Sequence, residues 1–433
     1  MRDGKVRLHE FWRVEFTPDE SKPLSYFVDG IANRLRNSVQ AHLTGDVPRG
    51  AFLSSGLDST AIVALMREQE SVQTFSIGFE GAPEELNELT LAKETARYLG
   101  TDHHNVYIGA KRYQEELPRL IYNQEDPVAD ASAMALYFVS EVASSYVKVV
   151  LSGEGADELF GGYPIYHEPL SLRAFEYLPQ WLRSSLGRLA NTLPHGMKGR
   201  SFLQRGAVPL ERRFVGNANI FSEDAKHELL RLSGLGELQS AFAITDPFYA
   251  RSTRLDAVTR MQDLDMHTWL PGDILMKADK MTMANSLELR VPFLDKEVFE
   301  FAATVPQKYR LAGGTTKYAL RQAMRGIVPE FVYNRPKLGF PVPIRHWIRG
   351  EMLDFVWDVV RSSKTDHLIN RAYVEKLIEE HVYGGRDHWR EIWTILNFML
   401  WHQVFVEQSR SFLPSVSPRV GVRRRRTEEY SVL

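Results

Sequence analysis

Along the first 165 residues, short apolar runs alternate with longer helical stripes. Gly50-Ala51-Phe52-Leu53 is followed by the small, mostly polar stretch Ser54-Ser55-Gly56-Leu57-Asp58-Ser59 and then by Thr60-Ala61-Ile62-Val63-Ala64-Leu65-Met66. An apolar run, a tight turn and an uninterrupted helix-forming segment predict strand, loop and helix. Upstream, Phe27, Ile31, Leu35 and Val39 recur every four residues and predict a helix over 25–43. Downstream, 73–79 alternates as a second strand, and 84–99 reads as a charged amphipathic helix ended by Gly100. Residues 104–108, 132–146 and 147–151 predict a third strand, a helix and a fourth strand. Strands alternating with helices indicate an α/β fold, a parallel twisted sheet covered by helices. Ligands in such sheets bind beyond the carboxyl ends of the strands. Both 54–59 and 152–163 fall at such ends.

From about residue 166 strand alternation stops, so 24–410 divides into an α/β part, 24–165, and a mainly helical part, 166–410. The late apolar stretch Ile392–Phe405 is interrupted by Thr394, Asn397, His402 and Gln403. It is too short and polar to span a bilayer and predicts a buried helix. Residues 1–23, with Pro18 and Pro23, predict an extended entry arm. Residues 411–433, with Arg423-Arg424-Arg425-Arg426, predict a disordered, solvated tail.

Composition narrows the function classes. A hydrophobic content of 44% and a charged content of 25% suit a soluble globular chain. The net charge of −2 gives no global attraction to nucleic acid or to an anionic membrane. With no cysteine among 433 residues, disulfides, a thiol nucleophile and thiolate metal sites are excluded. Met1–Lys5 holds no apolar core of a secretory signal, and a cytoplasmic location is expected.

The loop at 54–59 carries the first candidate chemistry. First-turn amides of the following helix have no carbonyl partners and favour an anion. Ser54, Ser55, Ser59 and Thr60 add hydroxyls, and Gly56 allows close backbone approach. No Gly-x-x-x-x-Gly-Lys-Ser/Thr loop is present. Asp58 would repel phosphate unless a cation lies between, which suggests a magnesium ligand; a well-capped helix after a buried strand is the plainer alternative. The loop at 152–163 holds Glu154, Asp157 and Glu158, three carboxylates within five residues. It reads as a solvated turn or, given the strand before it, as part of the same site. Charges threaded through apolar residues between Asp263 and Asp295 are buried ion pairs or a site wall. The basic loop 335–343 reads mostly as packing, and His103, His104, His381 and His388 lack metal-site spacing.

Leu53–Ser59 resembles the PP-loop of the ATP-pyrophosphatase superfamily. Five segments, Asp46–Ser59, Thr74–Phe79, Leu151–Tyr163, Asp279–Asp295 and Arg335–Trp347, resemble in order the synthetase domain of the asparagine synthetase family. Two departures stand out. Ser55 occupies a position that is commonly glycine, where a hydroxyl is expected to add a phosphate donor. The chain also begins at what resembles the linker after an N-terminal glutaminase domain and has no cysteine for such a domain.

The resemblance implies an ATP-dependent ligase that activates aspartate as β-aspartyl-AMP, releases pyrophosphate and forms an amide with ammonia. It implies pyrophosphate on Ser54, Ser55, Gly56 and Ser59, and Mg2+ on Asp58 and Asp157. Lys317 matches the family's catalytic lysine, and Glu154 would orient or deprotonate the amine. Leu53, Ile77 and Gly153 would contact adenosine, with Ser152 also on the nucleotide; Asp279 and Glu288 are candidates for the substrate wall. No nucleic acid or membrane partner is implied. A separate glutamine amidotransferase subunit and a homodimer are left open. So are a related amide ligase of the β-lactam synthetase or lasso-peptide cyclase type, and an inactive accessory binding module.

Overall fold

The computed structural model describes residues 9–81, 88–194, 197–231, 238–335 and 342–407. Residues 1–8 of the entry arm, the first turn of the helix expected from 84, 336–341 of the basic loop, and the tail with Arg423–Arg426 lie outside the described residues.

The first half builds the sheet. Its elements are α1 (Leu24–His42), β1 (Arg49–Phe52), α2 (Leu57–Arg67), β2 (Gln73–Phe79), α3 (Leu89–Leu99), β3 (Asp102–Ile108), α4 (Ala110–Gln124), α5 (Ser132–Ala143), β4 (Val149–Leu151) and α6 (Ala156–Phe160). A helical projection follows, made of α7 (Glu168–Glu176), α8 (Gln180–Thr192) and α9 (Arg200–Ala207). Among the described residues the rest is helical apart from β5 (Glu288–Arg290) and isolated bridges. The five strands run in the order β3-β2-β1-β4-β5, every pair parallel.

Period-two alternation places successive side chains on opposite faces. Val150 joins a core with Phe75, Ile77, α4, α5 and the late helix Trp389–Phe405. Val149 and Leu151 join the opposite core with Ala51, Leu53, α1 and α2. Phe27, Ile31, Leu35 and Val39, the predicted stripe of α1, are all buried there. Helices from the second half complete both cores, Ile344 and Trp347 on one face and Phe293 and Leu320 on the other.

Three details differ from the sequence reading. β5 was not anticipated: three residues with charges at both ends carry too little pattern, yet they pair with β4 as an edge strand. The pattern predicts no element between Ile108 and Ser132, where α4 runs through an internal Pro118. β4 is shorter than predicted, beginning at Val149.

Candidate active site

In the order 3-2-1-4-5 the chain turns to opposite sides after β1 and after β4. Their carboxyl ends therefore leave a crevice at a topological switch point. A cleft of about 530 Å³ opens there. It is lined by Leu53–Ser59 and Ile77 from the β1 side, Ser152–Gly155, Asp157 and Glu158 from the β4 side, and Trp269, Lys277, Lys317, Arg321 and Arg335 from the helical half.

At one end the loop after β1 is pinned. The Ser54 and Ser59 hydroxyls lie 3.1 Å apart, and Ser54 N–H donates to Ser59 Oγ over 3.2 Å. Ser55 has a left-handed φ of 59°, the conformation that favours glycine. Its hydroxyl lies 3.1 Å from Thr95 Oγ1, which itself donates to the Leu91 carbonyl. Ser55 must therefore donate to Thr95, and the expected extra phosphate donor is spent on α3. Gly153 lets the second loop approach α2, because a Cβ there would come within 2.9 Å of Asp58 and Ser59 atoms.

Lys317 joins the two loops. Its Nζ lies 2.5 Å from Asp58 Oδ2 and 2.6 Å from Asp157 Oδ1, with only 4% of the side chain exposed. Burial alone would lower its pKa, but Asp157 and Asp58 outweigh it and hold the ammonium above its ordinary range. Lys317 also has a left-handed φ of 54°, a strained backbone for a non-glycine residue. Arg321 stabilises that turn by donating to the carbonyls of Thr316, Tyr333 and Arg335.

A second lysine cluster forms the other end. Lys277 is buried and donates to Asp130 Oδ2 and, over 2.9 Å, to Ser132 Oγ. It follows a wide π-type turn, Leu270–Leu275, a distortion often found at functional sites. Burial disfavours both charges of the pair. Lys277 nonetheless keeps Asp130 below the usual carboxylate range, while Asp130 and then Asp273 keep Lys277 raised. One ammonium cannot neutralise every acid here. Burial and then Asp130 push Asp273 up to about 7. Burial pushes Glu154 up to about 7, against Lys277 and aided by Glu158 and Asp130. Glu154 Oε2 is shielded from solvent and has no hydrogen-bond partner among the described residues. At the rim beside Arg335, burial raises Glu88 to about 8.

Leu53, Ser54, Ser55, Gly56, Asp58, Ser59, Ile77, Ser152, Gly153, Glu154, Asp157 and Lys317 thus line one cleft. Asp279 and Glu288 are not in it. Asp279 is exposed on the helix Met276–Met283, and Glu288 is exposed at the amino end of β5, paired with Arg290. The sequence reading missed Asp130, Glu88 and the separate importance of Lys277. The charged, apolar stretch from Trp269 to Met281 was the available signal for the last. Among the described residues no group of three or more His, Asp or Glu has metal-holding geometry. His103 and His104 lie on β3, and His381 is buried between late helices.

The asparagine synthase family model matches residues 30–403. The chain is 46% identical over 407 residues to asparagine synthetase [glutamine-hydrolyzing] 1 of Bacillus subtilis, covering 94% of this chain and 64% of that protein. It is 50% identical over 391 residues to a putative asparagine synthetase [glutamine-hydrolyzing] of Mycobacterium bovis, covering 90% of this chain and 59% of that one. The same figures hold for a relative of that name from Mycobacterium tuberculosis. The chain therefore spans less than two thirds of the length of these relatives.

Proposed function

Because the chain belongs to the asparagine synthase family, we propose that its cleft uses ATP to activate the side-chain carboxylate of aspartate and converts it to the amide. The observation that carries this reading is the Asp58–Lys317–Asp157 bridge, which joins two sheet-edge loops at the amino end of α2. A helix N-terminus, paired hydroxyls and a buried lysine suit a pyrophosphate leaving group. Two carboxylates already within reach of one cation also suit Mg2+, which commonly takes one or two carboxylates and completes its shell with phosphates and water. Asp58 and Asp157 would hold the ion, which would neutralise triphosphate charge.

In this reading an aspartate β-carboxylate oxygen attacks the α-phosphorus and pyrophosphate leaves. Lys317, released from one carboxylate, follows the developing phosphate charge. Ammonia then attacks the acyl carbon of β-aspartyl-AMP. As the C–N bond forms, the nitrogen loses a proton to Glu154, whose pKa of about 7 suits a base near neutral pH. The C–O bond to AMP breaks, and asparagine and AMP leave. Lys277 and Asp130 fix that wall of the cleft.

These 433 residues hold no cysteine to serve as a glutaminase nucleophile, so by themselves they are expected to draw on free ammonia. Glutamine would serve only where a nucleophile outside these residues releases its ammonia. The deciding experiment supplies the purified chain with ATP, Mg2+, ammonium and a panel of carboxylic acids, and measures pyrophosphate and amide. Aspartate should give both, and replacing ammonium with glutamine should give no amide and no pyrophosphate beyond a single turnover of adenylation. Preference for another carboxylate would reassign the substrate; no pyrophosphate with any acid would sink the ligase reading.

A further inference from the structure

The projection α7–α9 takes little part in the two main cores. On α8 only Ala190 is buried, and the helix packs against α9. Six large apolar side chains are nevertheless exposed along this short segment: Leu170, Tyr177, Trp181, Leu189, Met197 and Phe202. Helical spacing puts Trp181, Ser185, Arg188 and Leu189 on one outward face of α8. Cations accompany them. Arg205 and Arg213 share the single carboxylate of Glu168, and Arg212 pairs with Asp246. Arg173, Arg188 and Lys198 are exposed and have no acid partner among the described residues, whereas Arg183, on the Ala190 side of α8, and Arg200 are half-buried with Nε shielded from solvent. Between Leu170 and Ala207 the sole acid is Glu176. The chain's net charge of −2 conceals this local asymmetry.

Apolar side chains interleaved with unpaired cations suit a surface that is anionic above and apolar beneath. Nucleic acid would use aromatic rings for base stacking, but half of the exposed apolar set, Leu170, Leu189 and Met197, has none. Among the described residues no helix is long and apolar enough to cross a membrane, so the contact is peripheral. We infer that α7–α9 dock this chain onto an anionic phospholipid membrane surface. The projection is joined to the cleft by the short turn Pro164–His167, and Tyr163 and Pro164 line the cleft itself. Docking thus ties one wall of the cleft to the bilayer.

The test sediments the full 433-residue chain with vesicles of phosphatidylglycerol mixed with phosphatidylcholine, or of phosphatidylcholine alone. The chain should sediment with the anionic vesicles at low salt, be released at high salt, and ignore the neutral ones. Trp181→Ser with Leu189→Ser should weaken partitioning about tenfold. Arg173→Gln with Arg188→Gln should weaken it about tenfold and flatten the salt dependence. Both variants should keep the wild-type thermal midpoint. No sedimentation with anionic vesicles at low salt, or equal binding to neutral ones, would overturn the inference. So would full displacement by a short single-stranded RNA, which would assign the face to nucleic acid.

Discussion

The cleft contains two lysine–carboxylate clusters made from the same residue types and poised differently. Lys317 sits between Asp58 and Asp157, whose side chains are 19% and 20% exposed, so both acids can reach an incoming ion. Lys277 sits among Asp130, Asp273 and Glu154, and burial raises the last two to about 7. The first cluster is charge-balanced by adding cation and phosphate together. The second is over-supplied with acid, so part of its carboxylate holds protons near neutrality. Identical chemistry is thereby divided into an end suited to phosphate and an end suited to proton transfer, and the ratio of acids to lysine and access to solvent set the division.

Removing each lysine tests this contrast most severely. Lys277→Met should destabilise the fold by about 3–5 kcal/mol, because it leaves buried acids uncompensated; adding Asp130→Asn should recover part of the loss in a denaturant titration. Lys317→Ala should leave the fold near wild type but cut pyrophosphate release by ~10²–10³. If the two lysines gave the same stability loss, the clusters would not differ as described. Asp58→Asn and Asp157→Asn should each raise the magnesium requirement for pyrophosphate release by roughly tenfold, and equal release at limiting magnesium would remove their assignment as ligands.

The smallest effect is on pH. Glu88, Glu154 and Asp273 have folded pKa values of about 8, 7 and 7, all above their ordinary range. Between those ranges the folded state binds more protons than the unfolded one, so stability falls as pH rises. The thermal midpoint should drop by a few degrees from about pH 5 to 8. Glu154→Gln should make that slope shallower.

The end proposed for phosphate was legible because its parts are contiguous: strand, Ser54–Ser59 and helix form one local pattern, and Asp157 lies in the acidic loop that directly follows β4. The other end was not, because Lys277 meets Asp130 across 147 residues of sequence and neither has a local signature. Resemblance alone brought Lys317 to the phosphate end. In sequence Ser55 looks like a phosphate donor, because its partner, Thr95, is 40 residues away. Asp279 stood close to the site in sequence, but two helical residues beyond Lys277 is nearly the opposite face. Glu288 likewise lay in a matching segment, yet β5 runs parallel to β4 and puts its amino end away from the cleft.

The most direct test of the division separates adenylation from amide formation. Aspartate-dependent ATP–pyrophosphate exchange, measured without ammonia, reports only the phosphate end. Glu154→Gln should retain this exchange within about threefold of wild type while asparagine formation falls about 100-fold, and Lys317→Ala should lose both. If Glu154→Gln lost exchange as completely as amide formation, the two clusters would act as one and the account would be contradicted.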